Sequence, residues 1–146
     1  MTAFELASRY RGEITELPED QQHPLIQWWH MLCQLGPDQP DEVPWCSSFV
    51  NGIAWELRLP RSKSARARSW LDVGVSVPLA EAQAAYDVVV LKRGINPAAG
   101  HVGFFAGTER NAAGELRIRV LGGNHGNGIS IASFSAELLL GVRRLA

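Results

Sequence analysis

Three residues of this 146-residue chain have the types and surroundings of a nucleophile, a base and an orienting group: Cys46, His101 and Asn124. Cys46 stands in "DEVPWCSSFVNGIAWEL" (41–57), just ahead of an apolar stripe at helical spacing, Phe49, Val50, Ile53 and Leu57. Pro44 suits a first-turn position and Asp41 or Glu42 the cap, which puts Cys46 in the first turn. Unpaired N–H groups and the helix dipole stabilise a thiolate there, so an exposed reactive end and a depressed thiol pKa are expected. A lone cysteine is also commonly a buried small hydrophobe, and spacing alone leaves both readings open. Cys33, on the apolar side of the preceding helix, reads as structural.

Of four histidines, His101 is the best base, because it opens the strand "GHVGFF" directly after a turn. Gly100 and Gly103 beside it leave room for a substrate chain to approach. His23 and His30 belong to the N-terminal helical region and His125 to the loop "GGNHGNG"; all three read as surface or capping residues. Asn124 follows the next strand and is placed to orient the imidazole through its second nitrogen, with Gly122 and Gly123 permitting an unusual backbone. An ordinary turn asparagine is the alternative. Trp45, beside the cysteine, is suited to shaping a cleft, and Ser47 to hydrogen bonding near it.

The elements that must hold these residues fall into two halves. Residues 1–75 carry apolar positions at helical period: Phe4, Leu6, Ala7 and Tyr10, then Leu25, Ile26, Trp29 and Leu32, then the stripe after Cys46. The second of these helices starts at Pro24 and ends at Gly36-Pro37; a fourth short helix spans 64–74 and closes at Gly74. Trp29 fits the core stripe, while Trp28 packs at its edge. Residues 78–146 read as strands at 86–93, 100–107, 115–123, 128–134 and 138–145, separated by clusters of turn formers. Leu116, Ile118 and Val120 alternate with Arg117 and Arg119, the pattern of a strand with one wet face. Helices followed by consecutive strands imply one α+β domain over 1–146, with helices packed on an antiparallel sheet.

Composition removes several function classes. The chain has 14 basic against 15 acidic residues, with no basic stripe or aromatic platform, so nucleic acid is not an expected partner. Two cysteines make no disulfide framework, and without C-x-x-C or H-E-x-x-H no metal and no cofactor are expected. No Sec-type leader and no membrane-span-length apolar run are visible, so cytoplasmic synthesis is expected. The basic run Arg61, Lys63, Arg66 and Arg68 reads as a solvated face, with contact to carboxylates or an anionic polymer as the alternative.

"PWCSSFVNGIAWEL", "SARARSWLDVG", "YDVVVLKRG", "GHVGFFAG", "VLGGN" and "GISIASF", in that order, resemble the NlpC and CHAP class of cell-wall hydrolases, closest to small single-domain phage and bacterial members. The upstream "LASRYRGEITELPEDQQHPLIQWWHML" extends the likeness over nearly the whole chain. The resemblance implies a papain-like fold, with a sheet of about five to six strands. It implies Cys46 as nucleophile, His101 as general base and acid, Asn124 as orienting residue, and substrate contacts at Trp45, Ser47, Gly100 and Gly123. The implied reaction is cleavage of a peptidoglycan amide, as N-acetylmuramoyl-L-alanine amidase or stem-peptide endopeptidase, in phage lysis or against other bacteria. A delivery apparatus or an immunity protein would be the partners of such a protein, and a monomer is expected. An acyltransferase and a non-catalytic wall-binding or phage-particle module are the alternatives. One departure is that Tyr86 precedes Asp87 where relatives carry glycine, so that turn is expected to differ.

Overall fold

The computed structural model describes residues 1–14, 23–34, 44–126 and 128–146. Among them lie the helices α1 (Ala3–Ser8), α2 (Pro24–Leu32) and α3 (Cys46–Glu56). Six strands follow: β1 (Val75–Val77), β2 (Asp87–Lys92), β3 (Gly100–Arg110), β4 (Leu116–His125), β5 (Gly128–Ser135) and β6 (Leu139–Arg144). They form one antiparallel sheet in the order β1-β6-β2-β3-β4-β5. The expected α+β arrangement is therefore present, and each of the five expected strands is found; only the three-residue β1 escaped the pattern.

Local chemistry explains the helix starts. Thr2 and Glu5 form a reciprocal capping box on α1, and the His23 ring accepts the Leu25 N–H at 3.1 Å ahead of Pro24 on α2. The segment expected to be a fourth helix is a 3₁₀-helix over Ala67–Asp72, with Gly74 at φ +68° behind it. α2 ends at Leu32, with Cys33 as its C-cap and Gln34 at φ +64°, ahead of the end expected at Gly36-Pro37; that pair and the caps Asp41 and Glu42 lie outside the described residues. At the departing turn, Tyr86 takes no positive φ, and the buried Asp87 carboxylate accepts from Arg144 at 2.8 and 2.9 Å and from the Gln83 N–H at 2.7 Å. No helix among the described residues is long and apolar enough to cross a membrane.

Both faces of the sheet bury apolar surface, which the sequence pattern did not resolve. Under the helices, Val88, Val90, Val102, Phe104 and Leu121 pack against Trp29, Trp45, Phe49 and Ile53. On the opposite face Val89, Leu91, Phe105, Ile118, Val120 and Val142 form a second cluster, covered by Leu79, Phe134 and Leu138 among others. The alternation in β4 holds, but its dry residues Ile118 and Val120 face away from the helices. Phe134 and Leu138 of this second cluster also line the cavity described below.

Gly52 in α3 is where the helical layer is tightest: a Cβ there would stand 2.1 Å from Trp29 Cδ1 and 2.4 Å from its Nε1. Trp29 has little freedom to retreat, wedged edge-on against Tyr10 and Phe49 and stacked on Trp45. In an open helix Gly→Ala gains about 1 kcal/mol, whereas overpacking a core costs about 1–3 kcal/mol. Gly52→Ala is therefore expected to lower the unfolding free energy measured by urea titration; a gain in stability would show that Trp29 has room to move.

Candidate active site

The site begins at the start of α3, where Trp45 is the N-cap residue and supplies no side-chain cap. First-turn N–H groups are left over, and the Cys46 sulfur collects them: its own N–H and that of Ser47, together with the Val102 N–H from β3. The β3–β4 ladder runs from Arg110–Leu116 to Phe104–Leu121 and stops two residues short of Val102. That opening in the sheet is where Cys46 lodges. It stands at the Val102 amide, one residue along β3 from His101.

A buried polar network fixes this end of α3. Ser47 Oγ donates to the Ser64 carbonyl at 2.6 Å and accepts the Trp70 Nε1–H at 2.9 Å. Asn51 donates to the Ser47 carbonyl at 3.0 Å and accepts the Lys63 N–H at 2.9 Å. Loss of any one partner would strand a buried polar atom, so the network holds the helix start, and with it Cys46, in place.

His101 pairs with Leu91 across the β2–β3 ladder, on the face away from the helices, and is 7% exposed. Its Nε2 lies 2.5 Å from His125 Nε2, and His125 Nδ1 lies 2.9 Å from the Ser130 carbonyl oxygen. A carbonyl only accepts, so His125 carries its proton on Nδ1 and presents a lone pair at Nε2. His101 must then donate from Nε2, which leaves its Nδ1 as the basic atom. The hydrogen bond of His101 thus goes to His125 and not to Cys46. The two rings sit over Gly122, where a Cβ would come within 3.0 Å of His125 and 3.3 Å of His101 Nε2.

His125 reaches this face because β4 carries one extra residue. Gly122 pairs with Ser130 but His125 with Gly128, so two residues of β4 oppose one of β5. Asn124 sits in the bulge at φ +63°, a conformation asparagine tolerates better than most residues. Because strand side chains alternate, one inserted residue turns His125 over to the side of His101.

Burial sets the protonation states. Desolvation pushes the Cys46 thiol above its ordinary range, against the opposing pull of the Val102 and Ser47 N–H groups and the Arg93 charge. Desolvation, then the charges of His125 and Arg93, lower His101 to about 3. His125 is lowered as well, again by burial. At rest the site therefore holds a thiol and neutral imidazoles. Each proton transfer by a positioned side chain is worth about a hundredfold to ten-thousandfold in rate.

A cavity of about 550 Å³ opens beside the imidazole pair, lined by His101, His125, Asn124 and Ser130, with Lys92 and Arg93 on one side and Phe134 and Leu138 on another. Several expectations need correction against it. Trp45 is fully buried and stacks on Trp29, and Ser47 is fully buried in the network above, so neither meets a ligand. Gly123 is covered by Trp45, whose Cζ3 would lie 2.6 Å from a Cβ there. Gly100 sits between the Leu91 carbonyl and Arg68, outside the cavity. Cys46 is 4% exposed, not an exposed reactive end, and its thiol is raised instead of depressed. Asn124 lines the cavity, but His125 occupies the position at His101 Nε2 expected for it. His125 is thus no surface loop residue, and His30 is fully buried with Nδ1 2.9 Å from Ser48 Oγ. Sequence reasoning missed His125 and Gly122; the only signal was the glycine pair, which reads equally well as turn chemistry. Among the described residues no group of three or more metal-ligating side chains is present.

Family models, characterised proteins and solved structures were all compared with the chain, and none matches it.

The neutral imidazoles have a measurable consequence. A histidine lowered from 6.5 to about 3 binds a proton more readily in the unfolded chain, so its stabilising contribution, present above pH 6.5, is lost as pH falls toward 3. Unfolding free energy should decline through this window, and His101→Gln should remove up to about 1.4 kcal/mol per pH unit of the slope, the value for one proton. Equal slopes in both proteins would show that His101 is already protonated or solvated in the fold.

Proposed function

We propose that this protein is a cysteine amidohydrolase of peptidoglycan with a papain-like catalytic arrangement, acting at the cell wall. The observation that supports the chemistry is the placement of Cys46 at the Val102 amide, one residue along β3 from His101, with His125 fixing the His101 imidazole. The substrate class rests on the sequence resemblance to the NlpC and CHAP hydrolases. In the proposed reaction the Cys46 thiol gives its proton to His101 Nδ1 as sulfur attacks the amide carbonyl. N–H groups around the sulfur, those of Cys46, Ser47 and Val102, are the donors nearest the developing oxyanion. The C–N bond breaks as His101 protonates the leaving amine, leaving a thioester. Water, deprotonated by the same nitrogen, then releases the acid and restores the thiol.

One observation favours a second reading, a module that binds wall peptide without cutting it: the cavity is lined by the imidazoles, whereas Cys46 lies outside its lining. Digestion of purified sacculi, with products identified by mass spectrometry, separates the two. Wild type should release fragments, Cys46→Ala should release none, and His125→Ala should be slower by about a hundredfold or more through loss of imidazole orientation. Asn124→Gly should retain most activity, because glycine adopts the positive φ without cost. Sacculi that bind both wild type and Cys46→Ala but yield no fragments with either would favour the binding module. Equal cutting by both would exclude Cys46 as the nucleophile.

A further inference from the structure

The cavity at the imidazole pair is chemically two-sided. Lys92 and Arg93 stand at the end of β2 on one flank, both exposed. No acidic residue lines the cavity among the described residues, and the ion pair found there joins Arg144 to Asp87, at the far end of β2. The other flank is apolar, made by Ala132, Phe134 and Leu138. Arg93 lines the same cavity as His101 and His125, and its charge is felt at both Cys46 and His101. His101 and His125 are neutral at rest and do not compete for an anion. A ligand that satisfies both flanks has a negatively charged planar group a few ångströms from a small aliphatic side chain, as at the carboxyl end of an alanine-like residue.

We propose that this cavity is a carboxylate-recognising peptide subsite, with Lys92 and Arg93 taking a free carboxylate and Ala132, Phe134 and Leu138 taking a methyl-sized side chain. The proposal rests on the hydrolase reading in that the bound peptide is presented to Cys46. It adds that the preferred substrate is an acid and not its amide. Arg93 is suited to this role because its planar fork matches a carboxylate bidentately.

The test uses the full chain with Cys46→Ala, so that binding is read without turnover. N-acetyl-alanyl-alanine and its C-terminal amide are titrated by calorimetry at low and high salt, with inorganic phosphate as competitor. The acid should bind about tenfold to a hundredfold more tightly than the amide, as for a charge-assisted hydrogen bond, and the advantage should shrink with salt. Adding Arg93→Gln should erase the preference, whereas Arg93→Lys should keep part of it; Arg93 is exposed, so the fold should survive either change. Equal affinity for acid and amide, no binding of either at millimolar concentration, or an unchanged preference in Arg93→Gln would overturn the proposal. Phosphate displacing the acid as well as the acid displaces itself would also overturn it, in favour of a general anion site. Intact sacculi together with acid-selective binding would remove the hydrolase reading but keep the subsite; digestion without acid selectivity would do the reverse.

Discussion

Desolvation of a thiol and an imidazole at one end of the sheet is the constraint around which this structure is arranged. The uncapped start of α3 offers N–H groups that favour a thiolate, yet burial outweighs them and the thiol remains protonated. The same burial removes the charge from His101. The Arg93 charge that would favour a thiolate is too weak to offset the burial of the sulfur. The site instead holds two neutral groups, the thiol beside the Val102 and Ser47 N–H groups and the His101 imidazole beside His125.

The surrounding elements follow from holding that arrangement. The Ser47–Asn51–Ser64–Trp70 network fixes where the helix starts, and Gly52 lets Trp29 close over it. On the strand side Gly122 leaves space for two hydrogen-bonded imidazoles, and the bulge at Asn124 delivers the second of them. Ser130 then sets the tautomer of His125 and, through it, that of His101. The Ser130 backbone carbonyl thus decides, through His125, which nitrogen of His101 is basic.

Much of the fold was legible because its signals are local. Apolar period, Pro24 and the turn-forming clusters between strands all act within a few residues, and they place α2, α3 and β2–β6. Cys46 at a helix start and His101 at a strand start were legible for the same reason. What the sequence could not show is which side of the sheet a residue faces. Trp45 and Gly123 adjoin site residues in the chain but point into the core, since neighbours on a strand or in a first turn diverge. His125 was lost because a single inserted residue inverts the alternation, and a glycine-rich loop hides where the insertion falls. The thiol was misjudged because the helix start is visible in sequence while the burial that overrides it is a tertiary property.

Neutrality of the resting Cys46–His101 pair is tested most directly by the pH dependence of iodoacetamide alkylation at Cys46, followed by peptide mapping to separate it from Cys33. The rate should be low at neutral pH and climb only above the ordinary thiol value of 9.0. A fast rate that is already on a plateau at pH 6 would mean a preformed ion pair, and would contradict the dominance of burial at this site.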